Sequence, residues 1–483
     1  MSSKKTANKI DQRRAQSGGI LAGFRGLMIA LVVVVCTGFL SVAEASGSEL
    51  SEPASGAAED EVICEDCHRI DAILVVGLLR TNREVIDGEL LFEEGDLVTL
   101  EDVEESVQRL RNTGIFRSVD YELFDQHIGS YAEAGENAPV GNDAGRVLKL
   151  SVDERWTLAA FFQFGQGGDT FHIMVGAQDI NLRGGYRHLR GSYTRLGDAN
   201  SYSLLFRNPR FLGERQELSV RTSLNNRLYT FYDGQGQVDG GFLLVRRYAA
   251  LGFDRQWTER VATAVGTSLS SDTFSYDMVS DQRREAQEAS IGLSGPIQTV
   301  RVSVDGRLGR LDRDDYRFVG TTFQTGVDQN FHFGDAQRRS RRFRGSLLHF
   351  QDLPWNSTLA ARGEIGFSTV DQEYMKFSAG GLNTLRGTFD MRHRGAHRWL
   401  GNVELRVPSI NNHLVVLQHV AFVDAVGVTE HASQVLDLTA ATTGIGLRII
   451  SRDFHGLIFR VDYALPTLGS DGPGLSFGAG QFF

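Results

Sequence analysis

Cysteine is almost missing from this chain, with three in 483 residues. That count leaves room for one disulfide and excludes a disulfide-framed scaffold. Past its N-terminal end the chain also has no apolar run near the roughly 18 residues of a membrane-spanning helix. Positive charge is not in surplus either. The formal net charge of −10 argues against a nucleic-acid partner. The twelve histidines show no HExxH or comparable ligand spacing, so no metal site is expected. Proline is scarce (8), whereas glycine is abundant (54) and aromatics make up 10%.

What is present begins with an export signal over residues 1–45. Lys4, Lys5, Lys9, Arg13, Arg14 and Arg25 form a basic opening. Leu27 to Leu40 is an apolar core too short to span a membrane, and Ala43-Glu44-Ala45 is a small-x-small cleavage site. Cys36 follows Val33-Val34-Val35 rather than a small residue, which speaks against lipid anchoring. An exported chain without a membrane helix is periplasmic, secreted or an outer-membrane barrel. Barrels escape hydropathy because outward apolar residues alternate with inward polar ones.

Residues 46–69 read as a flexible linker, with Ser46 to Glu61 rich in Ser, Ala and Glu. Its tail carries Cys64-Glu65-Asp66-Cys67-His68, literally a c-type haem attachment sequence. Haem needs a pocket and a second axial ligand, which a linker does not supply. The reading taken is a Cys64–Cys67 disulfide or two free thiols in an oxidising compartment.

Residues 70–155 read as a small α+β domain in the order β-α-α-β-β. Ile70 to Leu79 is a Val-rich strand. Thr81 or Asn82 opens a first helix whose apolar side is Val85, Ile86, Leu90 and Leu91, ended by Gly95-Asp96. Thr99 caps a second helix, with Asp102 three residues on as a weak capping box. Val103, Val107 and Leu110 form its buried face, and Asn112-Thr113-Gly114 stops it. Phe116 to Phe124 and Arg146 to Val152 alternate as strands, separated by an acidic, Gly/Ala-rich insertion from Gln126 to Gly145.

In the remaining 157–483 individual alternating strands can be read. Leu457, Phe459, Val461, Tyr463 and Leu465 share one parity against Arg460, Asp462 and Ala464. Val403, Leu405 and Val407 oppose Asn402, Glu404 and Arg406. This is the pattern of a lipid-facing wall around a wet lumen. Two glycine stretches, Gly165-Gln166-Gly167-Gly168 and Gly234-Gln235-Gly236, read as hairpin turns. Gly474-Leu475-Ser476-Phe477-Gly478 matches a nucleophile elbow, but only five residues follow it, too few to supply the downstream acid and His. No enzyme is read here.

Phe377 to Phe389, FSAGGLNTLRGTF, resembles the signature loop of the BamA/TamA superfamily of outer-membrane β-barrels with periplasmic POTRA domains. Residues 70–155 are similar to a POTRA domain in their "EGD" turn, their L-x-x-T-G-x-F helix end and their closing Val152-Asp153-Glu154. Arg207 to Gly213, Gly401 to Pro408 and Ala421 to Ala425 resemble further family strands in order, although Val426 stands before Gly427 where the family closes directly with Gly. The insertion 126–145 also departs from the family's tight hairpin.

The resemblance implies a transmembrane antiparallel β-barrel of 16 strands preceded by one POTRA domain, in the outer membrane of a Gram-negative-type bacterium. Unfolded outer-membrane or secreted clients, periplasmic or lipoprotein accessory subunits and the lipid bilayer are the implied partners, and no cofactor is expected. It implies that the loop motif Leu385, Arg386, Gly387 and Phe389 enters the lumen, where Arg386 meets Asp424 and Glu404 on the inner wall. An edge strand carrying Ile115, Phe116, Val119, Tyr121 and Leu123 would receive clients by β-augmentation. The last strand, Leu475 to Phe483, with Phe477 and Phe483, resembles a barrel-assembly signal. Its closure against Leu158–Gly165 would be the weak seam. A secretion pore for one dedicated substrate and a passive porin remain alternatives.

Overall fold

The computed structural model describes residues 67–483, apart from 126–145, 168–169, 197–198, 213–214, 233–237, 278–287, 289–290, 293–294, 334–337, 371, 382 and 470–472. The export signal, most of the linker, Cys36, Cys64, the 126–145 insertion and the Gly234–Gly236 turn lie outside these residues.

The small domain holds His68–Val76 (β1), Arg83–Asp87 (α1), Leu97–Val98 (β2), Leu100–Asn112 (α2), Phe116–Asp125 (β3) and Arg146–Glu154 (β4). Strand order is β2-β1-β4-β3. β1 begins at His68, inside the stretch read as linker. β2 adds an element to the expected order, because two residues carry no periodic signal. α1 is one turn only, capped by Gly88, so Leu90 and Leu91 lie beyond it. α2 opens on a full capping box: Thr99 Oγ1 accepts from Asp102 N at 3.1 Å, and Asp102 Oδ2 accepts from Thr99 N at 3.1 Å. Its Val103, Val107 and Leu110 pack with Ile70, Ile115, Val119, Leu148 and Leu150 into one core.

The rest is one closed sheet. Its first half is Leu158–Gly167 (β5), Thr170–Asp179 (β6), His188–Leu196 (β7), Ala199–Asn208 (β8), Gln216–Tyr232 (β9), Val238–Gln256 (β10), Val261–Ser275 (β11) and Ile297–Asp314 (β12). The second half begins with Arg317–Phe333 (β13), Arg338–Leu353 (β14) and Ser357–Ser368 (β15). Two short strands of an inward loop follow, Phe377–Ala379 (β16) and His393–Gly395 (β17). His397–Asn411 (β18), Val415–Thr429 (β19), Ala440–Ser451 (β20), Ile458–Leu468 (β21) and Gly474–Ala479 (β22) complete the wall. It is an antiparallel barrel of 16 strands in simple up-and-down order, with β22 returning to β5.

Side chains sort by strand parity. Val265, Leu269, Val304, Ile445 and Tyr463 stand exposed on the outside, while Asn402, Glu404, Asp424, Arg448 and Asp462 are buried within. Trp156, Trp257 and Trp355 are exposed on the rim that faces the small domain, where interfacial aromatics anchor a barrel. Among the described residues no helix is long and apolar enough to cross a membrane.

Candidate functional site

The inward loop joins β15 to β18 and presents Arg386 to the wall. Gly387 sits at φ +79, and a Cβ there would lie 2.7 Å from the Ala464 Cβ. Only glycine lets the loop press that close to β21. Beside it, Leu385 is fully buried with Ala379, Leu400, Val426 and Ala440. Phe389 is half-buried.

The structure brings Arg386, Asp424 and Glu404 together. Arg386 Nε donates to Asp424 Oδ2 at 2.8 Å and Nη2 donates to Asp424 Oδ1 at 2.7 Å, a bidentate fork. Its backbone N–H also donates to Asp424 Oδ2, at 3.2 Å. Nη1 donates to Glu404 Oε1. All three groups are essentially without solvent exposure. An unpaired charge at that depth would be costly, so the pairing fixes where the loop can rest. Asn402 supports the arrangement by donating to Asp424 Oδ1 at 2.8 Å and to the Thr384 carbonyl at 3.0 Å.

Several partners were not read from the sequence. The Arg386 guanidinium lies 3.5 Å from the Phe422 ring centroid and 3.8 Å from that of Phe482, sandwiched between two rings. Glu404 also accepts from Arg406 Nε at 2.7 Å, and Arg448 Nη2 lies 2.7 Å from Asp462 Oδ1. Phe422 shares wall parity with Asp424, two residues away, which was a usable signal.

Phe482 is the larger departure. The strand expected through Phe483 ends at Ala479. Gly480, at φ +85, turns the chain off the wall. Phe482 then stacks on Arg386, and the Phe483 oxygen accepts from Arg406 Nη2 at 3.2 Å. Inside the lumen the rings of Phe482 and Phe483 lie against the guanidinium groups of Arg386 and Arg406. Phe477 stays on β22, where it forms the only ladder pair between β22 and β5 among the described residues, with Phe164.

The loop is also tied across the lumen. Tyr229 Oη donates to the Tyr374 carbonyl at 2.9 Å, Arg342 Nη2 donates to the Met375 carbonyl, and Arg394 Nη2 donates to the Thr230 carbonyl.

In the small domain β3 is an edge strand. Ile115, Phe116 and Val119 point their side chains into the core, and Tyr121 and Leu123 are half-buried. The Ile115 and Phe116 carbonyls accept from Arg155, and the Val119 carbonyl accepts from Arg111 Nη2 at 2.7 Å. The side chains of this edge thus face the core, and the carbonyls of Ile115, Phe116 and Val119 already have donors. Cys67 is disulfide-bonded, and its expected partner Cys64 lies outside the described residues.

The small domain sits against the barrel's near turns. Asn112 Nδ2 donates to Asp312 Oδ1 at 2.9 Å, Arg155 Nη2 donates to Asp315 Oδ1 at 2.8 Å, and Asn181 Nδ2 donates to Thr81 Oγ1 at 2.9 Å. Glu154 holds the segment after β1, accepting from the N–H groups of Leu79, Arg80 and Thr81. Burial pushes its carboxyl pKa up, but these hydrogen bonds outweigh it and hold it below the usual value.

His455, in the turn between β20 and β21, donates from Nδ1 to the Gly114 carbonyl at 3.0 Å. Burial, then the Arg313 charge, lowers its pKa from 6.5 to about 3. A released imidazole takes up a proton below about pH 6.5 that the docked one refuses, so this contact is fully stable above that pH and weakens as pH falls toward 3. Hydrogen-exchange protection of residues 112–117 is expected to drop between about pH 7 and pH 5 in the native chain and not in His455→Asn.

Comparison with known proteins gives the following. Residues 181–483 match the Omp85 superfamily domain, and residues 68–155 match a POTRA family described as surface antigen variable number repeat. Among solved structures, BamA from Haemophilus ducreyi lacking POTRA domains 1-3 aligns at TM-score 0.50 and 16% identity over 86% of this chain and 84% of that one. CdiB from Acinetobacter baumannii aligns at 0.53 and 12%, over 86% and 74%. CdiB from Escherichia coli aligns at 0.51 and 13%, over 89% and 93%. These identities carry the fold alone. No curated protein matches the chain.

Proposed function

The chain belongs to the Omp85 superfamily, an outer-membrane assembly or secretion barrel with its POTRA domain in the periplasm, and we propose that it assists the insertion of other β-barrel proteins through the seam between β22 and β5. The observation that carries this reading is that, among the described residues, a single ladder pair, Phe164 with Phe477, closes the wall. Elsewhere neighbouring strands pair along most of their length, as β10 does with β11 from Leu243 to Gln256.

Opening this seam therefore breaks few backbone hydrogen bonds, and a client strand can replace them by β-augmentation. Turning residues 480–483 into the lumen supports the same reading. In continued register they would face Leu158 to Phe161, so their departure leaves that edge of β5 without a wall partner.

Strand length points the same way. β22 has 6 residues and β5 to β8 have 9 or 10, against 15 to 19 for β9 to β14. A membrane strand needs about 9–11 residues, so β5 to β8 just reach that length, β22 falls short of it, and the wall is lowest at the seam.

In this scheme the β3 edge holds an extended client segment near the mouth, and the Arg386 loop braces the wall opposite the opening. No cofactor and no catalytic residue are required. Depletion followed by an inventory of the outer-membrane and secreted proteomes tests the reading. Loss of several barrel proteins is expected. Loss of one secreted protein alone, with barrels unchanged, would move the function to dedicated secretion.

A further inference from the structure

The chain as a whole is acidic, but its inner wall is not. Inward carboxylates are almost all matched: Glu217 with Arg207, Asp272 with Arg246, Asp328 and Asp305 with Arg344, Glu364 with Arg398, and Glu404, Asp424 and Asp462 with the Arg386 cluster. Among the described residues only Asp254 is an inward strand acid without an ion pair.

Inward arginines are not matched in the same way. Arg190, Arg221, Arg227, Arg301, Arg307 and Arg342 form no ion pair among the described residues. Parity places each on the lumen side. Arg190 lies 4.3 Å from the ring centroid of Phe161, whose neighbours Ala160 and Phe162 face out. Leu205 is the ladder partner of both Arg190 and Arg221, so these two charges flank one inward position. Arg227 lies on the same face as the buried Tyr229, and Arg301 donates to the inward Asn330 at 2.8 Å.

Arg190, Arg221 and Arg227 are moreover exposed although they face inward. That requires water-filled space beside β7 and β9, on the opposite side of the lumen from the Arg386 loop. Toward the periplasm, Arg307 lines a cavity of about 620 Å³ at the junction with the POTRA domain, beside Asp254, Asp305 and the paired Arg207 and Glu217.

From this surplus we propose that the lumen is an anion-selective aqueous passage. Unmatched charge of one sign in a narrow, low-dielectric tube concentrates counter-ions and repels co-ions. Here the fixed charge is guanidinium, which does not lose its proton in the physiological range, so the selectivity is independent of pH. The Arg386 cluster contributes little, because its cation is already met by carboxylates.

The test is the reversal potential of the purified mature chain in planar bilayers under a potassium chloride gradient. A chloride-to-potassium permeability ratio of about 3 or more is expected. Arg190→Gln, Arg221→Gln and Arg227→Gln should each lower it, and the triple variant should bring it to about 1. Heat-modifiability checks that each variant is a folded barrel. Because these side chains are solvated, folding is expected to survive. Cation preference in the native chain, an unchanged ratio in the folded triple variant, or no current at all would each overturn the proposal. No client takes part in the measurement, so its outcome is independent of the insertion assay.

Discussion

Arg386→Ala is expected to cause the largest loss of any single substitution in the lumen. It removes a bidentate partner from Asp424, the Nη1 donor from Glu404 and the cation between Phe422 and Phe482. Three carboxylates, Glu404, Asp424 and Asp462, would then share Arg406 and Arg448 at full burial. Removing one member of a buried pair costs about 3–5 kcal/mol, and water entering the vacated space reduces that figure. The loop should release from β18 and β19, and Phe482 should lose its nearest guanidinium.

Heat-modifiability is expected at lower temperature and client abundance should fall. Arg386→Lys should rescue little, because an ammonium cannot reproduce the fork or the two-faced stacking. Asp424→Asn should resemble Arg386→Ala, and the double variant should be clearly less than additive. Full additivity, or native behaviour of Arg386→Ala, would remove the pairing from the account.

Much of this arrangement could be read in advance where local pattern and family likeness agreed. The α2 face, Val103, Val107 and Leu110, followed from helical spacing, and the wall parity of β18 and β21 followed from alternation. Arg386 with Asp424 and Glu404 came only from the resemblance, since nothing local in LRG says which acids lie across a lumen.

The misses have physical causes. β2 is too short to show a period, and α1 is shorter than its apolar spacing suggests because Gly88 caps it before Leu90 and Leu91. The last strand stops at Ala479 rather than Phe483, because alternation cannot be extended past Gly480, where a positive φ breaks it. The inward arginine surplus was invisible until register fixed which residues face one another, because overall composition has the opposite sign.

The seam is where the account can be tested most directly, and the expected effect is large. Phe164 and Phe477 are Cα partners across it, so Phe164→Cys/Phe477→Cys places two thiols on the pair that must separate. Oxidation should lock β22 to β5 while leaving the barrel, the loop and the POTRA domain in place. The measurement is the folded fraction of client barrel proteins in cells producing only this variant, with and without reductant, alongside the cross-linked fraction. Client assembly is predicted to fall to the level of the depleted strain when cross-linking is complete and to recover on reduction. Normal client assembly by a fully cross-linked protein would contradict insertion through the seam.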